Sequence, residues 1–295
     1  LNVRAERALG RAPVVTRTIA DTRLELARAR DDGRKIGLVP TMGSFHEGHL
    51  SLMRSARSEC GMVAVSIFVN PAQFSAGEDL ERYPRDLERD LELAEAEGVD
   101  LVFAPSEDEM YGRSRGACVI PGPAAEGLCG SARPGHFRGV ATVVAKLFNI
   151  FQPDVAYFGQ KDAQQAAVIR EMAADLDFPV GIRVLPTVRE ADGLAMSSRN
   201  SYLSPEERRA AKAIYRALSL AREEAAAGEG DTARLTERIG AVIAEETLAE
   251  LEYAEVVDPH TMAPLESVDG KAMAAVAVHI GGTRLIDNIL LERCD

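Results

Sequence analysis

No apolar run in this 295-residue chain approaches the ~20 residues needed to cross a bilayer. The longest, over residues 273–281, is less than half that length and contains His279. The opening residues lack the basic-then-apolar pattern of a secretion signal, since their arginines alternate with Glu and Ala. No membrane partner is therefore expected, and the cytoplasm is the expected location. Cysteine is sparse. Cys60, Cys118, Cys129 and Cys294 show no Cys-x-x-Cys spacing and no nearby histidine pair, which argues against structural zinc and against a disulfide framework. Positive charge is also short, with 34 Lys and Arg against 46 Asp and Glu for a net charge of −12. A nucleic-acid binder shows a basic domain or stripe, and none is present. The balance suits an enzyme whose anion site is a local cluster of cations.

What the chain does have is alternation. Hydrophobic content of 46% and charged content of 27% are ordinary for a globular protein, and the length allows two domains. Apolar runs at 36–40, 62–69, 99–104, 154–158 and 181–185 read as strands. Helical spacing falls between them, at 47–59, 84–97, 139–151 and 162–176. Such alternation predicts an α/β fold: a Rossmann-like doubly wound parallel sheet over residues 1–187. Ligands bind such sheets where loops leave the carboxyl ends of the strands. After residue 187 the texture changes. Ser204-Pro205-Glu206-Glu207 is a helix start with Ser as cap and Glu at the capping-box position. A long helix to about 227 and another from 231 or 232 to about 249 are expected. Three strand-like runs follow, the last two joined at Gly281-Gly282. Residues 188–295 thus predict a smaller α+β domain.

Four constellations carry chemistry. The first runs through Met42, Gly43, Ser44, Phe45, His46, Glu47, Gly48 and His49. A strand enters a glycine-bearing turn that opens a helix, whose unpaired N–H groups favour an anion such as phosphate. His46 and His49, one turn apart, reach the same ligand. A His-x-x-His pair also suits metal, but no third ligand stands at metal-site spacing. The second is Gly159, Gln160, Lys161, Asp162, with Gln164 and Gln165 after it, again between strand and helix. Lys161 can neutralise phosphate, Asp162 can accept from a ribose hydroxyl or simply cap the helix, and Gln164 or Gln165 can bind a polar substrate. The third is Met196, Ser197, Ser198, Arg199, a loop able to fold over a triphosphate and balance its charge. The fourth is Asn70-Pro71-Ala72-Gln73-Phe74, which places uncharged hydrogen-bonding groups at the rim of the sheet.

In this order and spacing, the motifs resemble the pantoate–β-alanine ligase family. The resemblance includes Tyr83-Pro84-Arg85, Gly135-His136-Phe137-Arg138-Gly139-Val140 and Asp192-Gly193-Leu194-Ala195 before Met196. It implies a ligase that joins pantoate to β-alanine through pantoyl adenylate, giving pantothenate, AMP and pyrophosphate. ATP would be a substrate with Mg2+, and no tightly bound organic cofactor is implied. ATP would lie along residues 42–49, Gly159 to Asp162, Val188 and Met196 to Arg199, with His49 as a proton donor. The catalytic set would be His46, His49, Lys161, Ser197, Ser198 and Arg199. Gln73 and Gln165 would hold pantoate, and Gln73 would also lie near β-alanine. A family acidic position falls on Asp90, a possible metal ligand. Its neighbours here are Arg89 and Leu93, however, which favours an exposed helix carboxylate. The second domain would form a lid, and the assembly would be a homodimer.

Phe45 stands where the family usually has Leu, and Gln160 where Glu is common; both lie beside the contact positions. Arg133 and residues 136–138 receive no role. The alternatives are another adenylyl-transferring enzyme of the same superfamily, or a nucleotide-binding regulator without chemistry. A regulator predicts damage to the histidine pair, Lys161 or Ser197-Ser198-Arg199, and all are intact.

Overall fold

Buried apolar strands separated by amphipathic helices have one economical solution, a sheet covered on both faces. The computed structural model describes residues 12–75, 77–112 and 116–293; Cys294 lies outside them. The first half runs β1 (Val14–Thr16), α1 (Ile19–Asp31), β2 (Ile36–Thr41), α2 (Glu47–Glu59), β3 (Met62–Ile67), α3 (Leu87–Ala96), β4 (Leu101–Phe103) and α4 (Glu107–Tyr111). It continues through α5 (Leu128–Ala132), α6 (His136–Phe151), β5 (Val155–Gly159), α7 (Ala163–Asp175) and β6 (Gly181–Leu185). The six strands form one parallel sheet in the order β1-β4-β3-β2-β5-β6.

Alternation along each strand divides the core. Leu38, Ala64, Phe103 and Phe158 pack with residues of α1, α6 and α7 on one face. Val39, Val65, Val102 and Tyr157 pack with α2 and α3 on the other. From β2 the sheet grows one way through β3 and β4, and the other way through β5 and β6. The β2/β5 boundary is thus the topological switch point, where ligands enter such sheets.

The second unit holds α8 (Pro205–Ala210), α9 (Lys212–Ala226), α10 (Thr232–Ala244), β7 (Ala249–Val257), β8 (Lys271–Ile280) and β9 (Thr283–Glu292). Its strands form an antiparallel sheet in the order β7-β8-β9, covered by α9 and α10 through Ile214, Leu218, Leu235 and Ile239. Among the described residues no helix is long and apolar enough to cross a membrane.

Several boundaries differ from the pattern-based ones. β1 and α1 were not anticipated. α3 starts at Leu87, because Asp86 caps it by accepting from the Arg89 amide at 3.1 Å. α6 starts at His136, so Gly139 sits inside its first turn. The Ser204–Glu207 capping box forms as expected, but the helix breaks at Ala211 into α8 and α9. α10 ends at Ala244, and the chain is already in β7 by Ala249.

Candidate active site

β2 ends at the switch point in a turn that is strained and then pinned. Gly43 and Ser44 both take left-handed backbone, with φ of 84° and 55°. For Ser44 that conformation costs on the order of 1 kcal/mol and persists only when its surroundings enforce it. Asp90 of α3 supplies the enforcement. Its two carboxylate oxygens accept from the amides of Ser44 at 2.8 Å and Phe45 at 2.7 Å. Asp90 is only 2% exposed, which corrects the expectation of an exposed helix carboxylate. With both oxygens committed to backbone amides, it clamps the turn and is poorly placed as a metal ligand. Burial pushes its carboxyl upward, against the pull of those two hydrogen bonds.

The turn delivers the start of α2, and two histidines cap it. His46 Nδ1 accepts from the Gly48 amide at 3.2 Å, and His49 Nδ1 accepts from the His46 amide at 3.4 Å. The rings lie 4.2 Å apart. A Cβ at position 48 would lie 2.8 Å from the His46 ring, so glycine is what lets that ring fold back over the helix start. Because each Nδ1 is an acceptor, each neutral ring carries its proton on Nε2. The motif thus offers two N–H donors to the cleft. Both rings stay neutral well below the usual histidine range. Burial, helped by Lys161, lowers His46 to about 4; burial, helped by His46, lowers His49 to about 3.

β5 ends beside β2 and delivers the second group. Gly159 leads into a 3-10 turn over Gln160–Asp162, after which α7 begins. Lys161 Nζ lies 3.6 Å from Asp162 Oδ1. Burial works to raise the Asp162 carboxyl, but the charges of Lys161 and Arg199 outweigh it and hold it low. Asp162 makes no side-chain cap on α7, which leaves its carboxylate available to a ligand. The two glutamines divide sharply. Gln164 is buried, donates to the carbonyls of Ala124, Glu126 and Gly127, and accepts from the Cys129 amide. It is a structural brace. Gln165 lines the cleft.

The opposite wall comes from residues 186–202. Ser197 Oγ accepts from the Arg199 amide at 3.3 Å, and Ser198 Oγ donates to the Ser44 carbonyl at 3.5 Å. Arg199 holds Asp79 through two 2.9 Å hydrogen bonds and lies over the Tyr83 ring. Gln73 Oε1 accepts from Asn70 at 3.0 Å, while Gln73 Nε2 points at Met42 Sδ, 3.2 Å away. Behind it, His136 Nδ1 donates to the Gln73 carbonyl at 2.8 Å and its Nε2 accepts from Arg133 at 3.0 Å. Burial, reinforced by Arg133, lowers His136 to about 4.

These groups enclose one cleft of about 530 Å³, within the range of small-molecule sites. It brings together Met42, His46, Gly48, His49, Gln73, Gly159, Lys161, Asp162, Gln165, Val188, Met196, Ser197, Ser198 and Arg199. Other expected residues stand behind the lining. Phe45 is buried against His49, Glu47 pairs with Arg54 at the surface, Gly43 and Ser44 form the pinned turn, and Gln160 turns toward Asn288. The sequence reading missed the carboxylates of Glu78 and Asp79, which pair with Arg133 and Arg199, and Arg284 from β9. No local spacing marks them, because their partners lie 55 and 120 residues away. Among the described residues, no group of three His, Cys, Asp or Glu is placed to hold a metal ion. The three described cysteines, Cys60, Cys118 and Cys129, are free thiols.

Residues 14–290 match the family model described as pantoate-beta-alanine ligase. A pantothenate synthetase of Heliobacterium modesticaldum is 59% identical over 261 residues, 88% of this chain and 93% of that protein. One from Moorella thermoacetica is 54% identical over 93% of this chain and 97% of its own. A crystal structure of pantothenate synthetase from Thermus thermophilus superposes with a TM-score of 0.89 at 46% identity, covering 94% of this chain and 98% of that one. The pantoate-beta-alanine ligase of Francisella tularensis, complexed with beta-gamma ATP and beta-alanine, gives a TM-score of 0.78 at 35% identity, covering 95% and 98%.

Proposed function

This chain belongs to the pantoate–β-alanine ligase family, and from that premise we propose how its cleft performs the reaction. The enzyme joins pantoate to β-alanine with ATP, giving pantothenate, AMP and pyrophosphate by way of pantoyl adenylate. One observation carries the division of labour. The ends of β2 and β5 deliver two neutral imidazoles and Lys161 into a single cleft that also holds Gln73 and Gln165.

In the first step a pantoate carboxylate oxygen bonds to the α-phosphorus of ATP. The bond from that phosphorus to the bridging oxygen breaks, and pyrophosphate leaves. An anion attacking a polyanion is repelled unless donors and cations meet the charge. Lys161 and Arg199 supply fixed positive charge. The Nε2–H groups of His46 and His49 supply hydrogen-bond donors aimed at the phosphates. With its ring neutral, His49 acts there by donating a hydrogen bond to the developing charge and transfers no proton. Ser197 and Ser198 close the phosphate end, Gly159 and Asp162 take the ribose, and Val188 presents backbone to adenine beside Met196. Gln73 and Gln165 hold pantoate. In the second step the amine of β-alanine, held near Gln73, attacks the acyl carbon and forms the amide bond. The bond from that carbon to the AMP oxygen breaks, AMP leaves, and the proton lost by the nitrogen passes to solvent. ATP itself activates the carboxylate, so no protein nucleophile is required.

Magnesium enters as part of the MgATP substrate. With Asp90 turned onto the Ser44–Phe45 backbone, the ion's ligands would be phosphate oxygens and water, as its preference for retained waters favours. Residues 188–295 act as a lid over the nucleotide site carried by residues 1–187. The enzyme works in the cytoplasm as a homodimer, which a measured particle mass of twice the chain would support.

The deciding assay is pyrophosphate release from ATP, with pantoate and β-alanine supplied separately. Release that requires pantoate, followed by AMP and pantothenate on adding β-alanine, is the expected result. Release indifferent to pantoate would sink the proposal.

A further inference from the structure

A buried amide of the second unit reaches into the nucleotide site of the first. Asn288, on β9, is 3% exposed. Its Nδ2 donates to the carbonyls of Gln160 at 2.8 Å and Lys161 at 3.0 Å, and its Oδ1 accepts from Gln160 Nε2 at 3.3 Å. Those two carbonyls belong to the peptides on either side of the Lys161 Cα. Gripping both fixes the direction in which the lysine side chain leaves the backbone. The turn over Gln160–Asp162 has no side-chain cap, and the contact of Lys161 with Asp162 is a long 3.6 Å.

Asn288 is itself held rigidly. β9 pairs with β8 along its whole length, with Asn288 opposite Ala275. Successive side chains of a strand face opposite sides, so the preceding Asp287 points back into the second unit. There it forms a two-pronged pair with Arg189, at 2.6 and 3.0 Å. Arg189 also donates to the Asn288 carbonyl at 3.2 Å and lies over the Tyr215 ring. Arg189 directly follows Val188, the residue assigned to adenine. Two consecutive residues of one strand thus hold both chain segments that flank the nucleotide.

We propose that Asn288 is a positioning residue that acts through Lys161, so that the second unit sets the geometry of the phosphate site. The inference rests on the assignment of Lys161 to the phosphates. The juxtaposition also gives a reason for burying a carboxamide at a domain junction, where an apolar side chain would leave two carbonyls unpaired.

The test is a double-mutant cycle read by calorimetric MgATP affinity and by KM for each substrate. Asn288→Ala removes both donors; Asn288→Asp keeps the shape and replaces the donors with a carboxylate, so one of them remains informative if the other folds poorly. Each is expected to weaken MgATP binding and raise its KM by about tenfold, the loss of one to two net hydrogen bonds. KM for β-alanine should stay unchanged. On a Lys161→Ala background, Asn288→Ala should add almost nothing, because the two residues act as a unit. Fully additive effects would overturn the proposal. So would a lowered melting temperature with unaltered MgATP affinity, the outcome of a purely structural role. Undiminished MgATP binding by Lys161→Ala alone would instead refute the phosphate assignment of that lysine.

Discussion

The Arg199 guanidinium and the Asp79 carboxylate face each other in a two-pronged pair, both hydrogen bonds 2.9 Å long. Asp79 therefore occupies the Nε and Nη2 edge of the cation assigned to the triphosphate and offsets its charge, so it competes with a nucleotide for Arg199. Burial alone would lower the Arg199 pKa, but the Asp79 partner more than compensates. Asp79→Asn is expected to tighten MgATP binding by about fivefold, the scale of one partly exposed pair. Arg199→Ala is expected to cut pantoate-dependent pyrophosphate release by ~10²–10³. Weaker binding by Asp79→Asn would show that the pair orients Arg199 and does not compete for it.

The clamp formed by Asp90 makes a separate prediction. Asp90→Ala leaves the Ser44 and Phe45 amides without acceptors beneath a left-handed serine. A loss of roughly 2–3 kcal/mol in denaturant unfolding is expected, with a fall in turnover. Raising magnesium should not restore that turnover. Full rescue by excess magnesium would return Asp90 to the role of metal ligand.

Acid should weaken the fold in a window that belongs to histidine. His46, His49 and His136 are lowered to about 4, 3 and 4, so the folded protein binds protons less readily than the unfolded chain does. The stability gained from neutral rings is therefore complete above about pH 6.5 and declines below it. It is exhausted only near pH 4 for His46 and His136 and near pH 3 for His49. The slope is at most about 1.4 kcal/mol per pH unit for each ring. Denaturation midpoints between pH 7 and pH 5, above the ordinary carboxylate range, should fall steadily; a flat profile would contradict the assignment.

The proton positions can be observed directly. With Nδ1 accepting in His46 and His49, nitrogen NMR at pH 7 should find both protonated on Nε2. His136, which accepts from Arg133 through Nε2, should carry its proton on Nδ1. His46 or His49 protonated on Nδ1 would remove the N–H donors proposed for the phosphates.

Much of this was legible because the sheet is built from local signals. The runs that became β2, β3 and β5 are nearly continuous in apolar residues, as strands buried on both faces must be. The motifs that follow β2 and β5 announced the site by their place between strand and helix. β1 was missed because it is a three-residue edge strand, too short for periodicity to register. Asp90 was misjudged for a different reason. Its spacing, three residues after Leu87 and four before Ala94, is that of the buried face of α3, but its charge argued for the surface; the amides of the strained turn 46 residues earlier are what satisfy a carboxylate there. Likewise, adjacency in sequence could not separate Gln164 from Gln165. One turns into the bracing of residues 124–129 and the other into the cleft, a distinction made by the loop that α7 packs against.

The switch point has a bearing on how the protein is made. β2 and β5 are neighbours in the sheet, yet Gly37 meets Val155 only after the intervening chain has been synthesised. Such distant pairings form slowly and late. A nascent chain that stops short of Gly159 has its histidine-capped helix but no Lys161 beside it, and one that stops short of β9 has no Asn288 to aim that lysine. On these assignments full nucleotide affinity requires β9 to have been made, and retention on immobilised ATP is expected to separate chains that carry β9 from chains that stop before it.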